Sequence, residues 1–225
     1  MSALFDTTTP SALLEGMRRA RTAIAAGQLI VLPTDTVYGV GANAFSPEAV
    51  AALLAAKGRG RQSPPPVLIP GAATLAGLAM NVPDVTHALT DAFWPGGLTI
   101  ILDAQPSLTW DLGDAHGTVA LRVPNHPIAL ELLAETGPLA VSSANRTGEP
   151  AALTAAQALD QLGDSVDVYL EAGTTPVGEA STILDLTGLS RGTGLARILR
   201  LGAISVADLR EVLGNNLEPD TEPVA

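Results

Sequence analysis

The chain has 225 residues, with 12 Lys and Arg against 23 Asp and Glu, a formal net charge of -11, no cysteine and 47% hydrophobic residues. Aromatics are only 3%, so the core must be built from Ala, Val, Leu and Ile, while disulfides, thiolate catalysis and cysteine-held metal are excluded. The negative charge opposes a broad nucleic-acid surface, no run reaches the ~18 apolar residues of a membrane span, and the start carries Asp6 but no basic signal region, so a soluble cytoplasmic protein is expected.

Leu13, Met17, Ala20 and Ile24 recur at helical spacing and predict a first helix, with Ser11 as N-cap and Gly27 as stop. Leu29-Ile30-Val31-Leu32 predicts a strand covered on both faces, ended by Pro33 and followed by the polar loop Thr34-Asp35-Thr36. Ser46-Pro47-Glu48 combines a cap, an N1 proline and an acid at the positive dipole end, so a helix should run from there to about Lys57, before Gly58 and Gly60. Further strands are expected over 67–69, 98–102, 119–123, 139–142, 168–171, 182–186 and 196–199. Further helices are expected over 72–80, 83–93, 127–135, 154–162 and 205–213, the last opening on a Ser205/Asp208 capping box. Strands and helices intermix, and several strands follow one another directly, which predicts an α/β domain with a mixed sheet. That domain is expected to span 1–214, with a disordered acidic tail over 215–225.

Three segments concentrate chemistry. Lys57-Gly58-Arg59-Gly60-Arg61 places three cations in five residues, and Lys57 is the sole lysine of the chain. A point charge beside a planar fork suits polyphosphate, although a solvated helix end that complements the dipole reads the same way. The loop over 33–41 packs two hydroxyls, a carboxylate and a phenol at a strand end, where α/β proteins place ligands; a self-held Asx/ST turn is the alternative. Gly39-x-Gly41-x-x-Ala44 is rejected as a dinucleotide fingerprint because no acid follows about 20 residues on. Val141-Ser142-Ser143-Ala144-Asn145-Arg146-Thr147-Gly148 is a second strand-to-turn unit rich in donors, but neither a nucleophile elbow nor a Walker A loop is present. Arg122, flanked by apolar residues in Val119-Ala120-Leu121-Arg122-Val123, must face either an internal acid or a ligand.

Seven motifs in order, over roughly 20–204, resemble the YrdC/TsaC family of threonylcarbamoyl-AMP synthases. They are the segment from Pro33 to Asn43, Lys57-Gly58-Arg59, Phe93-Trp94-Pro95-Gly96-Gly97-Leu98-Thr99, the Arg122 strand through Pro124, Ser142 to Gly148, Ser181-Thr182-Ile183-Leu184-Asp185, and Ile198 to Ile204. The resemblance implies the short, single-domain branch: a twisted mixed parallel and antiparallel sheet flanked by helices, with a basic concave cavity. It implies ATP phosphates held by Lys57 and Arg59 with Ser143, Asn145 and Arg200, nucleotide contacts at Ser63 and Thr118, and threonine held by Thr36, Arg122 and Ser181. Tyr38 would wall the cavity, and Trp94-Pro95-Gly96-Gly97 would be a structural turn. The chain departs from the family at Ser63-Pro64-Pro65-Pro66, where Asn or Lys often precedes a proline and an aliphatic residue, and at Leu68, where some relatives have His.

The substrates so implied are ATP with Mg2+, L-threonine and bicarbonate, and the product would pass to a tRNA threonylcarbamoyl transferase. Little direct nucleic-acid binding and no membrane association are expected. An RNA-binding module and a carbamoyl-adenylate-forming relative are the rival readings. The net charge of -11 opposes the first, and carbamoyl-adenylate domains normally sit inside larger chains.

Overall fold

Ile30 and Leu32 pack on one side of their strand and Val31 on the other, as expected for a strand buried on both faces. The same alternation runs through Val67/Leu68 and Leu139/Ala140/Val141, and it sorts the core into two layers, one on each side of a single sheet. The computed structural model describes residues 2–219.

In chain order the elements are β1 (Ala3–Asp6), α1 (Pro10–Ala25), β2 (Ile30–Leu32), β3 (Gly39–Asn43), α2 (Pro47–Ala56), β4 (Val67–Leu68), α3 (Leu75–Leu78), β5 (Ala79–Met80), α4 (Val85–Phe93), β6 (Leu98–Ala104) and β7 (Thr118–Arg122). There follow α5 (Pro127–Thr136), β8 (Leu139–Ser143), α6 (Ala155–Leu162), β9 (Val168–Glu171), β10 (Thr182–Asp185), α7 (Thr187–Ser190), β11 (Arg197–Arg200) and α8 (Val206–Leu213). The strands run in the order β1-β9-β2-β3-β8-β4-β7-β6-β10-β11, with β5 added beside β6. Pairing is parallel in β1/β9, β2/β9, β4/β7 and β6/β10, and antiparallel in the remainder, so the sheet is mixed as expected.

One face is covered along its length by α2, α4, α6 and α8, through residues such as Leu53, Leu89, Ala158 and Leu209. The other is covered by α1 and α5, through Met17, Ala20, Ile24, Leu132 and Leu133, but only over the half that contains β9, β2, β3 and β8. Beyond them, Thr99, Arg122 and Ile183 belong to this same face and line an open cavity. The helices therefore place the site by stopping short of it.

Local signals hold at most element ends. Ser46 caps α2 through Ala49 N–H with Pro47 following, Thr154 caps α6, and Ser205 and Asp208 form the capping box of α8. The first helix differs: its N-cap is Thr9, without a side-chain bond, because Pro10 with its fixed φ takes the first helical position ahead of Ser11. The helix expected over 72–80 is a 3-10 turn (Ala72–Thr74) and a single α turn. Its last two residues are drawn into β5 by pairing with Ala104 and Asp103. The segment β3 reads as loop in sequence because of its glycines, yet it lies between β2 and β8 and pairs with both. Gly39 is required there, since a Cβ would stand 2.5 Å from Val141 Cγ1. Among the described residues no helix is long and apolar enough to cross a membrane.

The segment 215–218, expected to open a disordered tail, is instead folded onto the domain. Gly214–Asn216 is a 3-10 turn, Ala196 N–H donates to Asn216 O and Glu218 N–H to Ala196 O, and Leu217 is 3% exposed in the core. A sequence rich in Asn and Pro here hides one apolar anchor. Positions 220–225 lie outside the described residues. Leu217→Ala is expected to lower unfolding free energy by about 2–4 kcal/mol, read from urea denaturation, as for other buried leucines.

Candidate active site

The cavity, of about 170 Å³, gathers the strand-end loop of β2, Gly39 of β3, Leu68 of β4, Thr99 of β6, Arg122 of β7, Val141 to Ser143 of β8, Ser181, Ile183 and Arg200. Of the residues assigned by resemblance, Thr36, Arg59, Arg122, Ser143, Ser181 and Arg200 line it, and Tyr38 forms part of its wall as expected. Three guanidinium groups thus surround one cavity whose lining contains no carboxylate.

Arg59 and Arg200 are held by neutral partners that preserve their charge, whereas Arg122 also meets a carboxylate. Arg200 donates from Nε and Nη2 to Ser181 O (3.1 and 2.7 Å) and from Nη2 to Ser181 Oγ (3.0 Å). Ser181 Oγ in turn lies 2.8 Å from Thr99 Oγ1. Arg59 donates to Thr147 Oγ1 (2.9 Å) and to Ser142 Oγ (3.4 Å). Arg122 donates from Nε to Gly96 O (2.8 Å) and from Nη2 to Asp35 Oδ1 (2.6 Å). Burial, followed by the charges of Arg122 and Arg59, draws the Arg200 pKa below its ordinary value. Only Arg122 has an acid beside it, so the cavity wall is a concentration of positive charge in a protein of net charge -11.

The 33–41 loop is a self-held turn that also lines the cavity. Thr34 Oγ1 donates to Val37 O (2.7 Å), accepts from Thr36 N–H (3.2 Å) and lies 3.0 Å from Thr36 Oγ1, which makes a self-held ST turn. The same turn brings Thr34 and Thr36 to the cavity wall and aims Asp35 at Arg122. Asp35 Oδ1 also accepts Asn125 N–H (2.9 Å). The alternative reading of Arg122, an internal ion pair, is therefore realised, with side chains 8% and 10% exposed. Burial lowers the Arg122 pKa, with Asp35 opposing it, and the guanidinium stays protonated. Two of its five N–H donors are committed in this way. The Trp94-Pro95-Gly96-Gly97 turn is structural, since Trp94 Nε1–H donates to Leu98 O (2.7 Å). It also supplies the carbonyl that steers Arg122.

Four assignments are relocated. Lys57, 1% exposed, does not line the cavity. Its Nζ donates to Ser143 O and Asn145 O (2.6 Å to the latter), with Asn145 Oδ1 at 3.2 Å and Ser143 Oγ at 3.4 Å. Burial and then the Arg59 charge push Lys57 down to about 7, while four surrounding acceptors favour the ammonium. Asn145 spends its amide on Arg146 O and Glu149 O and folds the turn rather than facing the cavity. Ser63 is half-buried, its N–H donating to Gly60 O, and it is not part of the cavity lining. Thr118 lines a neighbouring apolar pocket of about 150 Å³, with Pro64, Pro66, Ile101, Leu112, Val119 and Leu199, which shares Pro64, Pro66 and Ile183 with the main cavity. Arg61, the third cation of its cluster, is paired with Asp111 and Asp114, acids distant in sequence.

Thr34, Thr99 and Ser142 also line the cavity, and the family resemblance assigns them no role. Thr99 carries a signal like that of Arg122: a polar residue between Leu98 and Ile100 that faces opposite to both. The Tyr38 hydroxyl lies between Glu171 Oε1 (2.9 Å) and Gly173 O (2.7 Å) and accepts Ala172 N–H, and burial raises its pKa. Glu171 Oε2 accepts Ala155 N–H (2.9 Å) at the start of α6, where the dipole favours an acid.

Two substitutions test this account. Arg122→Ala is expected to cost about 3–5 kcal/mol, since Asp35 is left as a buried uncompensated charge, and Arg122→Met with Asp35→Asn should cost clearly less in the same urea titration. Lys57→Met should cost about 1–3 kcal/mol by leaving Ser143 O and Asn145 O without donors, with no rescue by Arg, which has no room there.

The Sua5/YciO/YrdC family model, described as Telomere recombination, matches residues 22–202. A Mycobacterium tuberculosis protein is 53% identical over 214 residues, covering 95% of this chain and 96% of its own, and it carries the name threonylcarbamoyl-AMP synthase provisionally. The Pyrococcus abyssi threonylcarbamoyl-AMP synthase is 33% identical over 192 residues, 85% of this chain and 55% of its own length. The crystal structure of P. abyssi Sua5 complexed with L-threonine has a TM-score of 0.83 and 32% identity, covering 90% of this chain and 59% of that one. The chain thus spans somewhat more than half the length of these archaeal proteins. With the match running from α1 to just beyond β11, the chain belongs to the Sua5/YciO/YrdC family.

Proposed function

We propose that this protein is a threonylcarbamoyl-AMP synthase: it condenses L-threonine, bicarbonate or CO2, and ATP into threonylcarbamoyl-adenylate and pyrophosphate. The observation that carries this reading is the set of Arg59, Arg122 and Arg200 around one cavity, beside an apolar pocket that shares Pro64, Pro66 and Ile183 with it. Guanidinium forks and hydroxyls suit phosphate and carboxylate oxygens, and an apolar slot between prolines and aliphatic side chains suits a nucleobase. The threonine complex of the archaeal relative and the names of the curated relatives support the same substrates.

In this reading Arg59 and Arg200 take the triphosphate with Ser142 and Ser143, and the base enters the pocket edged by Thr118. Arg122 takes the threonine carboxylate with the donors that Asp35 and Gly96 leave free, while Thr36 and Ser181 orient its polar atoms. Bicarbonate loses hydroxide to give CO2, and the unprotonated threonine amine attacks its carbon and loses a proton, leaving an N-carboxylate. A carboxylate oxygen then attacks the α-phosphorus, the bond to the β-phosphate oxygen breaks, and pyrophosphate departs with the electron pair. No covalent enzyme intermediate is required. The side chains align three reactants and offset developing charge. Magnesium would supply further neutralisation on the phosphate oxygens. No carboxylate lines the cavity, so hydroxyl groups and the substrate itself would hold it.

The product would pass to a tRNA threonylcarbamoyl transferase. The net charge of -11 opposes a broad nucleic-acid surface, which disfavours the RNA-binding reading.

Incubation with ATP, magnesium and bicarbonate, with and without threonine, followed by mass spectrometry tests the reading. Threonylcarbamoyl-AMP and pyrophosphate are expected only with threonine present. Threonine-independent ATP turnover, or an adenylate lacking the threonyl mass, would overturn it and favour a carbamoyl-adenylate activity.

A further inference from the structure

Arg61 stands two residues after Arg59 yet is absent from the cavity lining. Its guanidinium forks onto Asp111, Nη1 to Oδ2 at 2.8 Å and Nη2 to Oδ1 at 2.9 Å, and Nε reaches Asp114 Oδ1 at 3.3 Å. The main chain repeats the connection, because Asp114 N–H donates to Arg61 O at 2.8 Å. Between the two acids, Gly113 has φ +96° and passes so close that a Cβ would lie 2.6 Å from Arg61 O, so only glycine fits. Asp111 Oδ1 also accepts Gly113 N–H at 3.0 Å. One residue thus grips both ends of the 111–114 turn, through side chain and backbone.

The turn matters for what it carries. Leu112, 4% exposed, packs into the core and lines the apolar pocket assigned above to the nucleobase, together with Ala115 and Thr118. Leu112 and Ala115 lie in the long connection between β6 and β7, which has no regular structure from 105 to 117, and Thr118 opens β7 at its end. An exposed ion pair contributes little to global stability, so the effect of this clamp must be local.

We propose that Arg61 is a positioning residue for the nucleobase subsite: by clamping the Asp111–Asp114 turn it holds Leu112 against the base and ties that wall to Arg59 in the phosphate cavity. The proposal rests on the reading of the apolar pocket as the base subsite. It differs from a simpler role for Arg61 as one more cation that attracts polyphosphate, and the two roles predict opposite signs for the removal of its partner.

The test is equilibrium binding of ATP and of inorganic tripolyphosphate to the wild-type protein, Arg61→Ala and Asp111→Ala, with thermal melts to verify folding. A clamp predicts that both variants weaken ATP by about tenfold, equivalent to ~1.4 kcal/mol, with tripolyphosphate changed less than about twofold. The reversed pair, Arg61→Asp with Asp111→Arg, should recover part of the ATP affinity. If Arg61→Ala weakens and Asp111→Ala tightens both ligands, Arg61 acts as a charge and the proposal is wrong. Unchanged ATP affinity in both folded variants overturns it equally. Wild-type protein that binds tripolyphosphate as tightly as ATP would remove the base-subsite reading itself, and the proposal with it.

Discussion

The structure depends on a division of labour among its cations. Those of the site are held chiefly by carbonyls and hydroxyls: Arg200 by Ser181 O, Arg59 by Thr147 and Ser142 hydroxyls, Lys57 by Ser143 O and Asn145 O, Arg122 by Gly96 O. Outside the site, Arg18, Arg21, Arg61 and Arg191 are paired with Glu15, Glu135, Asp111 and Asp103. A neutral dipole fixes a guanidinium in place without cancelling its charge, whereas a carboxylate cancels it. A pocket intended for polyanions therefore needs the first kind of partner, and the excess of 23 acids over 12 bases must be kept out of it. Arg122 is the exception. Its acid partner leaves it locally neutral, which suits a single substrate carboxylate better than a triphosphate.

Carbonyls can serve as ligands only where backbone leaves a sheet or helix, and the site is built at such places. Gly96 O belongs to the turn before β6, Ser181 O stands just ahead of β10, Ser143 O ends β8 and Asn145 O follows it. Lys57 performs a further task here. It is the C-cap of α2, and its ammonium draws the β8 turn onto the helix end. Thr147 completes the junction by donating from N–H and Oγ1 to Lys57 O. The Lys-x-Arg segment thus divides in two, the lysine shaping the turn and Arg59 facing the cavity.

Coverage of the sheet decides where this can occur. Helices α1 and α5 bury one half of a face, and the other half, lined by Leu68, Thr99, Arg122 and Ile183, stays open. Polar residues at alternate positions of apolar strands mark that half. Thr99 and Arg122 interrupt runs whose neighbours, Leu98, Ile100 and Leu121, all point to the covered face.

The placing of Arg122 in an apolar strand was legible without coordinates, as were the caps at Ser46 and Ser205, the two-faced strand Ile30–Leu32, and the family motifs, because each depends on residues within a few positions of one another. Partner choice was not. Lys57 meets Ser143 from 86 residues away, Arg122 meets Asp35 from 87, and Arg61 meets Asp111 from 50, and nothing local to any of them indicates which oxygen it will find. The same limit explains β3, whose glycines look like loop until two neighbouring strands pair with it, and Leu217, one apolar residue in a polar end that docks beside Ala196. Sequence determined which residues could carry charge into an apolar sheet. Tertiary structure decided which of those charges would be spent on the protein's own backbone and which would be left facing the cavity, since that depends on long-range packing and not on local propensity.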